Sequence, residues 1–211
     1  MNILQRNVNF ESLLKDVRER GVAFVPDALT SEFREELCRD IASLEMKEEV
    51  MDEDFLKLKF DFAKLYYPFE GHEALNTLGL HLGWQARTHR GMLNNLAHWY
   101  PNEVVVQRYR DSSDDIGAHR DYKRDRYLIA IVTAGGYGRF EVLGDDGETV
   151  KWSFETGPGS MTLLWAPELT VDDGDRRPLH RALAPVYGTR TSVTYRLVID
   201  EPCVSEVETK H

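Results

Sequence analysis

The chain has 211 residues and a formal net charge of −10, with 42% hydrophobic and 29% charged residues. That length and composition suit one soluble globular domain with a sizeable core. The acidic balance disfavours an electrostatic grip on nucleic acid, which needs a basic footprint. Two short basic runs nevertheless stand out, Arg87, His89 and Arg90, and then Arg120, Lys123, Arg124 and Arg126.

In chain order, Phe10 to Arg20 reads as a short amphipathic helix, with Phe10, Leu13, Leu14 and Val17 at helical spacing and Gly21 ending it. GVAFVP comes next as a short strand stopped by Pro26. Thr30 or Ser31 caps a second helix whose buried stripe is Phe33, Leu37, Ile41 and Leu44. Residues 45–70 carry dense mixed charge with Phe55, Leu58, Phe60, Phe62 and Leu65 at irregular intervals. They read either as a covering segment that brings aromatics over a site or as a packed helix. Residues 72–98 return to helical spacing through Leu75, Leu78, Leu82, Met92 and Leu96. His81, His89 and His98 in that stretch read as surface or core histidines.

From Glu103 the texture changes. EVVVQRY, RYLIAIVT, GRFEVLG, TVKWSFET, SMTLLWAP and RTSVTYRLVID are short β-type runs separated by Gly, Pro and Asp clusters. That spacing predicts antiparallel strands in a sandwich or barrel. The expected class is α+β with a mainly β core. It is a single domain over residues 1–211, with a helical N-terminal half (about 1–100) packed on a double-sheet jelly roll (about 101–200) and a short C-terminal tail. Cys38 and Cys203 have no metal-like spacing and read as free thiols. No apolar run approaches the length of a membrane span, and MNILQRNVNFESLL lacks an apolar signal segment. A cytoplasmic location is the default expectation.

The stretch QRYRDSSDDIGAHRD, residues 107–121, organises the functional reading. His119 and Asp121 are two residues apart, so on a strand they share a face. Gly117 lets the backbone turn just before them. With His180, from RRPLHRALAP, they form two imidazoles and one carboxylate, a usual cage for non-haem Fe(II) with open positions. Asp172, Asp173 and Asp175 read as solvated loop acids. In RTSVTYR, Arg190, Ser192, Thr194 and Arg196 share one parity, while Thr191, Val193, Tyr195 and Leu197 share the better core face. Gln107 and Tyr109 are a same-face pair on the preceding strand. Parity allows the arginine face to be a solvated edge. Turned inward, it needs an anion, because buried unpaired cations are costly and an Arg fork binds carboxylate bidentately. A small dicarboxylate that also chelates the metal satisfies the inward case.

The order QRY, HxD, distal His and two arginines six apart resembles the Fe(II)/2-oxoglutarate dioxygenases, particularly their AlkB-like branch, over residues 103–200. GVAFVPDALTSEFREELC is similar to the strand-and-helix lead-in of many of these oxygenases. The resemblance implies a double-stranded β-helix core and Fe(II) held by His119, Asp121 and His180. It implies that Arg190, Tyr109 and Ser192 hold the distal carboxylate of 2-oxoglutarate, with Gln107 and Arg196 beside its metal-chelating end. It also implies a reaction with O2 that hydroxylates or demethylates a small-molecule or peptide substrate and releases succinate and CO2. Tyr122 lines the pocket in this reading, and Trp165 either lines it or packs in the core.

Gln107 stands where that branch carries Asn, His180 and Arg190 are closer together than in the nucleic-acid demethylases, and residues 45–100 show no basic nucleotide lid. Three alternatives stay open: an AlkB-like nucleic-acid demethylase, a non-catalytic metal-binding jelly-roll module, and a Zn(II) hydrolase on the same triad.

Overall fold

The computed structural model describes residues 2–53, 56–91, 93–110, 115–170, 175–185 and 187–199. Phe55, Met92, Asp172, Asp173, Cys203 and the C-terminal tail lie outside them. Cys38 is an exposed free thiol. Among the described residues no helix is long and apolar enough to cross a membrane.

Helix α1 runs Phe10–Arg20. The Asn9 side chain caps its start by accepting from the Ser12 N–H, and Gly21, left-handed at φ 78°, donates back to the Val17 carbonyl. Strand β1 (Val22–Val25) leads to α2 (Ser31–Ala42), which Thr30 caps through the Phe33 N–H. Residues 45–70 are not the packed helix of one reading; they bring Phe60 and Phe62 to the cavity, as the other reading had it, but on strands. They form an antiparallel hairpin, β2 (Lys47–Glu53) and β3 (Leu56–Tyr66), and β3 pairs with β4 (Glu103–Arg110). Period-two alternation is present at its end, with Phe60, Phe62 and Lys64 on one face and Leu65 packing against the main core on the other. Charges interleaved along the hairpin hide it in the sequence. Helix α3 (Glu73–Thr88) and a 3-10 turn (Asn94–His98) come next.

The remaining strands are β5 (Ile116–His119), β6 (Asp125–Gly135), β7 (Gly138–Leu143), β8 (Val150–Thr156), β9 (Met161–Trp165), β10 (His180–Leu183) and β11 (Thr189–Val198). They build a seven-stranded sheet, β1-β9-β6-β11-β4-β3-β2, and a four-stranded sheet, β5-β10-β7-β8. The pairings within both are antiparallel. The first hundred residues thus supply three strands of the large sheet as well as its helices.

The helices cover one face of the large sheet, where Leu14, Phe33, Leu75, Leu78 and Leu82 pack with Val104, Val106, Val193 and Tyr195. The other face meets the small sheet through Ile129, Leu164, Phe140 and Val142. Because β11 runs between β4 and β6, its alternate residues divide between these layers. Val193 and Tyr195 go to the helices, and Arg190, Ser192, Thr194 and Arg196 face a cavity between the sheets.

The Tyr195 hydroxyl donates to the Leu75 carbonyl at 2.9 Å, fixing helix α3 to that strand. Trp99 is fully buried, and its indole N–H donates to the Leu128 carbonyl at 2.6 Å. Trp99→Phe orphans that carbonyl and leaves a small void, so it should lower unfolding stability by about 2–3 kcal/mol in urea titration.

Candidate metal centre

His119 closes β5 and His180 opens β10, and the two stand opposite each other in the ladder between those strands. Their ring centroids are 4.3 Å apart. Asp121 lies just past the strand end. Arg177 donates to its backbone carbonyl, and the His180 Nε2 is 3.7 Å from its Oδ2. One ligand atom from each of His119, Asp121 and His180 lies within 4.8 Å of the other two.

The outer nitrogens of both rings are engaged. His119 Nδ1 is 2.9 Å from the Gly117 carbonyl, and His180 Nδ1 is 2.9 Å from the Pro178 carbonyl. A carbonyl only accepts, so each Nδ1 carries a proton, which leaves Nε2 as the atom of each ring that can face a metal. Backbone-oriented imidazoles of this kind are how proteins set histidines for a metal. His180 is 3% exposed. Burial pushes its pKa down to about 4 despite the attraction of Asp121, so it is neutral near pH 7. Burial alone would raise the Asp121 carboxyl. Attraction to His180 when that ring is protonated, and to the Arg196 and Arg177 guanidiniums, outweighs that, so its pKa falls below the usual value. Two oriented imidazoles converging with an ionised carboxylate suit a divalent first-row metal.

Arg190 is 3% exposed, and burial lowers its pKa. Its guanidinium carbon lies 5.7 Å from the centre of the Tyr109 ring, and its Nε has no hydrogen-bond partner. Among the described residues no carboxylate pairs with it. Gly138 makes room for this side chain, since a Cβ there would sit 2.5 Å from the Arg190 Cδ. Tyr109, Gln107 and Ser192 line the same cavity. Burial pushes the Tyr109 phenol up to about 12, so it stays a neutral donor.

Arg196 is placed differently from Arg190. Its guanidinium reaches Asp121 at 3.7 Å, Asp125 at 3.9 Å and Glu103 at 4.0 Å. Glu103 also meets Lys64 at 3.6 Å. Arg196 therefore braces the Asp121 carboxylate and is already matched by acids of the chain. Glu103 and Asp125 did not stand out in the sequence. The one signal was a charge opening the otherwise apolar run EVVV. Asp175 pairs with Arg177, which pulls its carboxyl down to about 2. Trp165 is buried in the main core, under the Arg176 guanidinium, and is not a cavity wall.

Asp125 is fully buried with neither carboxylate oxygen hydrogen-bonded, and burial raises its pKa to about 6. This gives a pH test on metal-free protein. His180, with a folded pKa below its unfolded value, destabilises the fold as pH falls from about 6.5 to 4, because only the unfolded chain takes up the proton. Asp125, with a raised folded pKa, acts with the opposite sign between about 6 and 3.8, because the folded chain takes up the proton first. Asp125→Asn removes that offset. The variant should lose about 2 kcal/mol more than wild type between pH 7 and pH 4 in urea titrations.

The cavity has a volume of about 530 Å³, with Phe60, Phe62 and Tyr122 among its walls. It takes the two candidate groups, metal ligands and buried arginine, into one space between the sheets.

No family model matches the chain. A stretch of 66 residues is 36% identical to a probable Brix domain-containing ribosomal biogenesis protein of Sulfurisphaera tokodaii, and the match spans 31% of this chain and 38% of that protein. The whole-chain similarities are structural. A 2OG-Fe(II) oxygenase family oxidoreductase from Burkholderia pseudomallei superposes with a TM-score of 0.68 at 16% identity, over 93% of this chain and 95% of that one. A prolyl hydroxylase of Trichoplax adhaerens, solved with a hypoxia inducible factor peptide fragment, gives 0.61 at 14% identity over 90% of each chain. A Pseudomonas putida prolyl-4-hydroxylase gives 0.63 at 14% identity, covering 90% of this chain and 99% of that one. The chain therefore has the fold of the 2OG-Fe(II) oxygenases, and its convergent His-Asp-His group fits iron binding.

Proposed function

We propose that the chain is an Fe(II)- and 2-oxoglutarate-dependent oxygenase on a double-stranded β-helix core, acting on a small-molecule or peptide substrate. The observation that carries this reading is Arg190, a buried guanidinium without an acidic partner among the described residues, in the same cavity as a His-Asp-His cluster. An anionic ligand offsets the cost of burying that charge, and a keto diacid satisfies both features at once.

In this reading His119, Asp121 and His180 hold the ion. Arg190, with Tyr109 and Ser192, seats the distal carboxylate of 2-oxoglutarate, and Gln107 lies beside the chelating end. When bound, Fe(II) and 2-oxoglutarate supply the activation of O2 that oxidises the substrate, with release of succinate and CO2. The chain orients the donors, matches charge and keeps water out. The Gly117 and Pro178 carbonyls fix the two imidazole tautomers, and Arg196 keeps Asp121 ionised.

The order of motifs relates the chain to the AlkB-like branch, and that kinship is part of the proposal. Nucleic-acid demethylation is the weaker reading. In the second basic run, Arg120 is paired with Asp145 and Arg126 with Glu168, which leaves no continuous basic stripe there. The test is succinate formation from 2-oxoglutarate by the purified chain. It should require both Fe(II) and O2. Succinate formation that persists without O2, or none with Fe(II) and O2 present, would overturn the assignment.

A further inference from the structure

On a chain of net charge −10, the cavity walls carry Lys64, Arg120, Arg124, Arg190 and Arg196 against one carboxylate among the described residues, Asp121. Most of these cations are accounted for. Arg196 faces Asp121, Asp125 and Glu103, Lys64 faces Glu103, and Arg120 faces Asp145. Arg190 is assigned to the cosubstrate, and a separate seat for the primary substrate rests on that assignment.

Arg124 remains. It is partly buried and its Nε is buried without a hydrogen-bond partner; it attracts the neighbouring Asp125 carboxylate but makes no direct ion pair among the described residues. Its guanidinium carbon lies 5.2 Å from the centre of the Tyr122 ring, which is also a cavity wall. Stacking on an aromatic face holds a guanidinium in place while leaving its in-plane N–H fork open to a ligand.

Arg124 is also far from Arg190. Arg190 and Arg196 are six residues apart on β11, about 20 Å of strand. Arg124 sits beyond the Arg196 end, where its carbonyl accepts from the Ile199 N–H. Asp121 lies beside Arg196, so along β11 the metal group stands between Arg190 and Arg124, neither of which makes a direct ion pair among the described residues.

The geometry points to an organic carboxylate as the primary substrate, its acid group held by Arg124 against Tyr122. Its body lies over the metal group, in the part of the cavity not taken by the cosubstrate. An open guanidinium fork and aromatic walls recognise a small acid with an apolar or aromatic body. One such cation lacks the basic footprint a polynucleotide needs.

Calorimetric titration of the full chain loaded with Mn(II) tests this, using 3-phenylpropionate, its primary amide, phenyl phosphate and 2-oxoglutarate as probes. 3-Phenylpropionate should bind at least about tenfold tighter than the amide, and saturating 2-oxoglutarate should not displace it. Arg124→Gln should weaken the acid at least about tenfold and leave 2-oxoglutarate within about twofold, while Arg190→Gln does the reverse. Tyr122→Leu, a change at an exposed side chain, should weaken the acid by a few-fold and serves as the second variant if Arg124→Gln is poorly folded.

Several results overturn the proposal: equal binding of acid and amide, full acid binding in Arg124→Gln and Tyr122→Leu, displacement by 2-oxoglutarate, preference for phenyl phosphate or an oligonucleotide, or no binding of the acid. If 2-oxoglutarate fails to bind the wild type while the acid binds and depends on Arg124, the cosubstrate assignment falls and the carboxylate seat stands.

Discussion

Asp121→Ala should abolish succinate formation and remove Fe(II) from the isolated protein. Asp121 is the only anion in the convergent group, so its loss leaves two neutral imidazoles facing a dication. Loss of a supporting outer partner alone costs 10–100-fold in metal affinity, so removing a ligand should exceed about 100-fold. A second effect adds to it. Arg196 leans on Asp121 as well as on Asp125 and Glu103, and the alanine leaves that partly buried guanidinium short of one partner. Iron content by mass spectrometry and succinate by chromatography measure the two losses separately. Asp145→Ala, at a largely exposed position, is the control and should match wild type. Full turnover by Asp121→Ala would remove this residue from the metal site.

Arg190→Met should give two effects of opposite sign. The affinity for 2-oxoglutarate should fall by at least about 100-fold, because a buried bidentate contact to a carboxylate is worth about 2–5 kcal/mol. The ligand-free protein should become more stable, because the variant removes a buried cation that no acid among the described residues offsets. Methionine suits the notch over Gly138 better than a branched side chain, since it is unbranched and flexible. Calorimetry reads the first effect and thermal melting of apoprotein the second. If the stability of the ligand-free chain falls instead, Arg190 has an internal partner and its assignment to an anionic ligand is lost.

The arrangement of β11 was legible because strand parity is a local property. Arg190, Ser192, Thr194 and Arg196 alternate with Val193 and Tyr195, and the structure divides them between cavity and core as that alternation requires. Whether the polar face turned inward depended on β11 being central, which pairing with both β4 and β6 decides and parity cannot. The meeting of His119 with His180 is a matter of register between strands distant in sequence. Only the types of residue, two imidazoles and an acid, suggested it.

The aromatics of residues 45–70 were legible as cavity walls, but the strands that carry them were not. Lys47 to Asp54 is a charged run, and a strand at the open edge of a sheet needs no apolar face to be recognisable as a strand by its pairing. Glu103 and Asp125 were missed for a related reason. Each is buried by what packs over it, and acids abound in this chain.

The short strand β5 has one neighbour in its sheet, β10, and the register between them shifts midway. A metal joining His119 to His180 would act as a rivet across that thin seam. Limited proteolysis could then serve as an occupancy gauge: cleavage between β5 and β6 should slow on adding Fe(II) or Mn(II) and quicken with a chelator, while cuts elsewhere keep their pace.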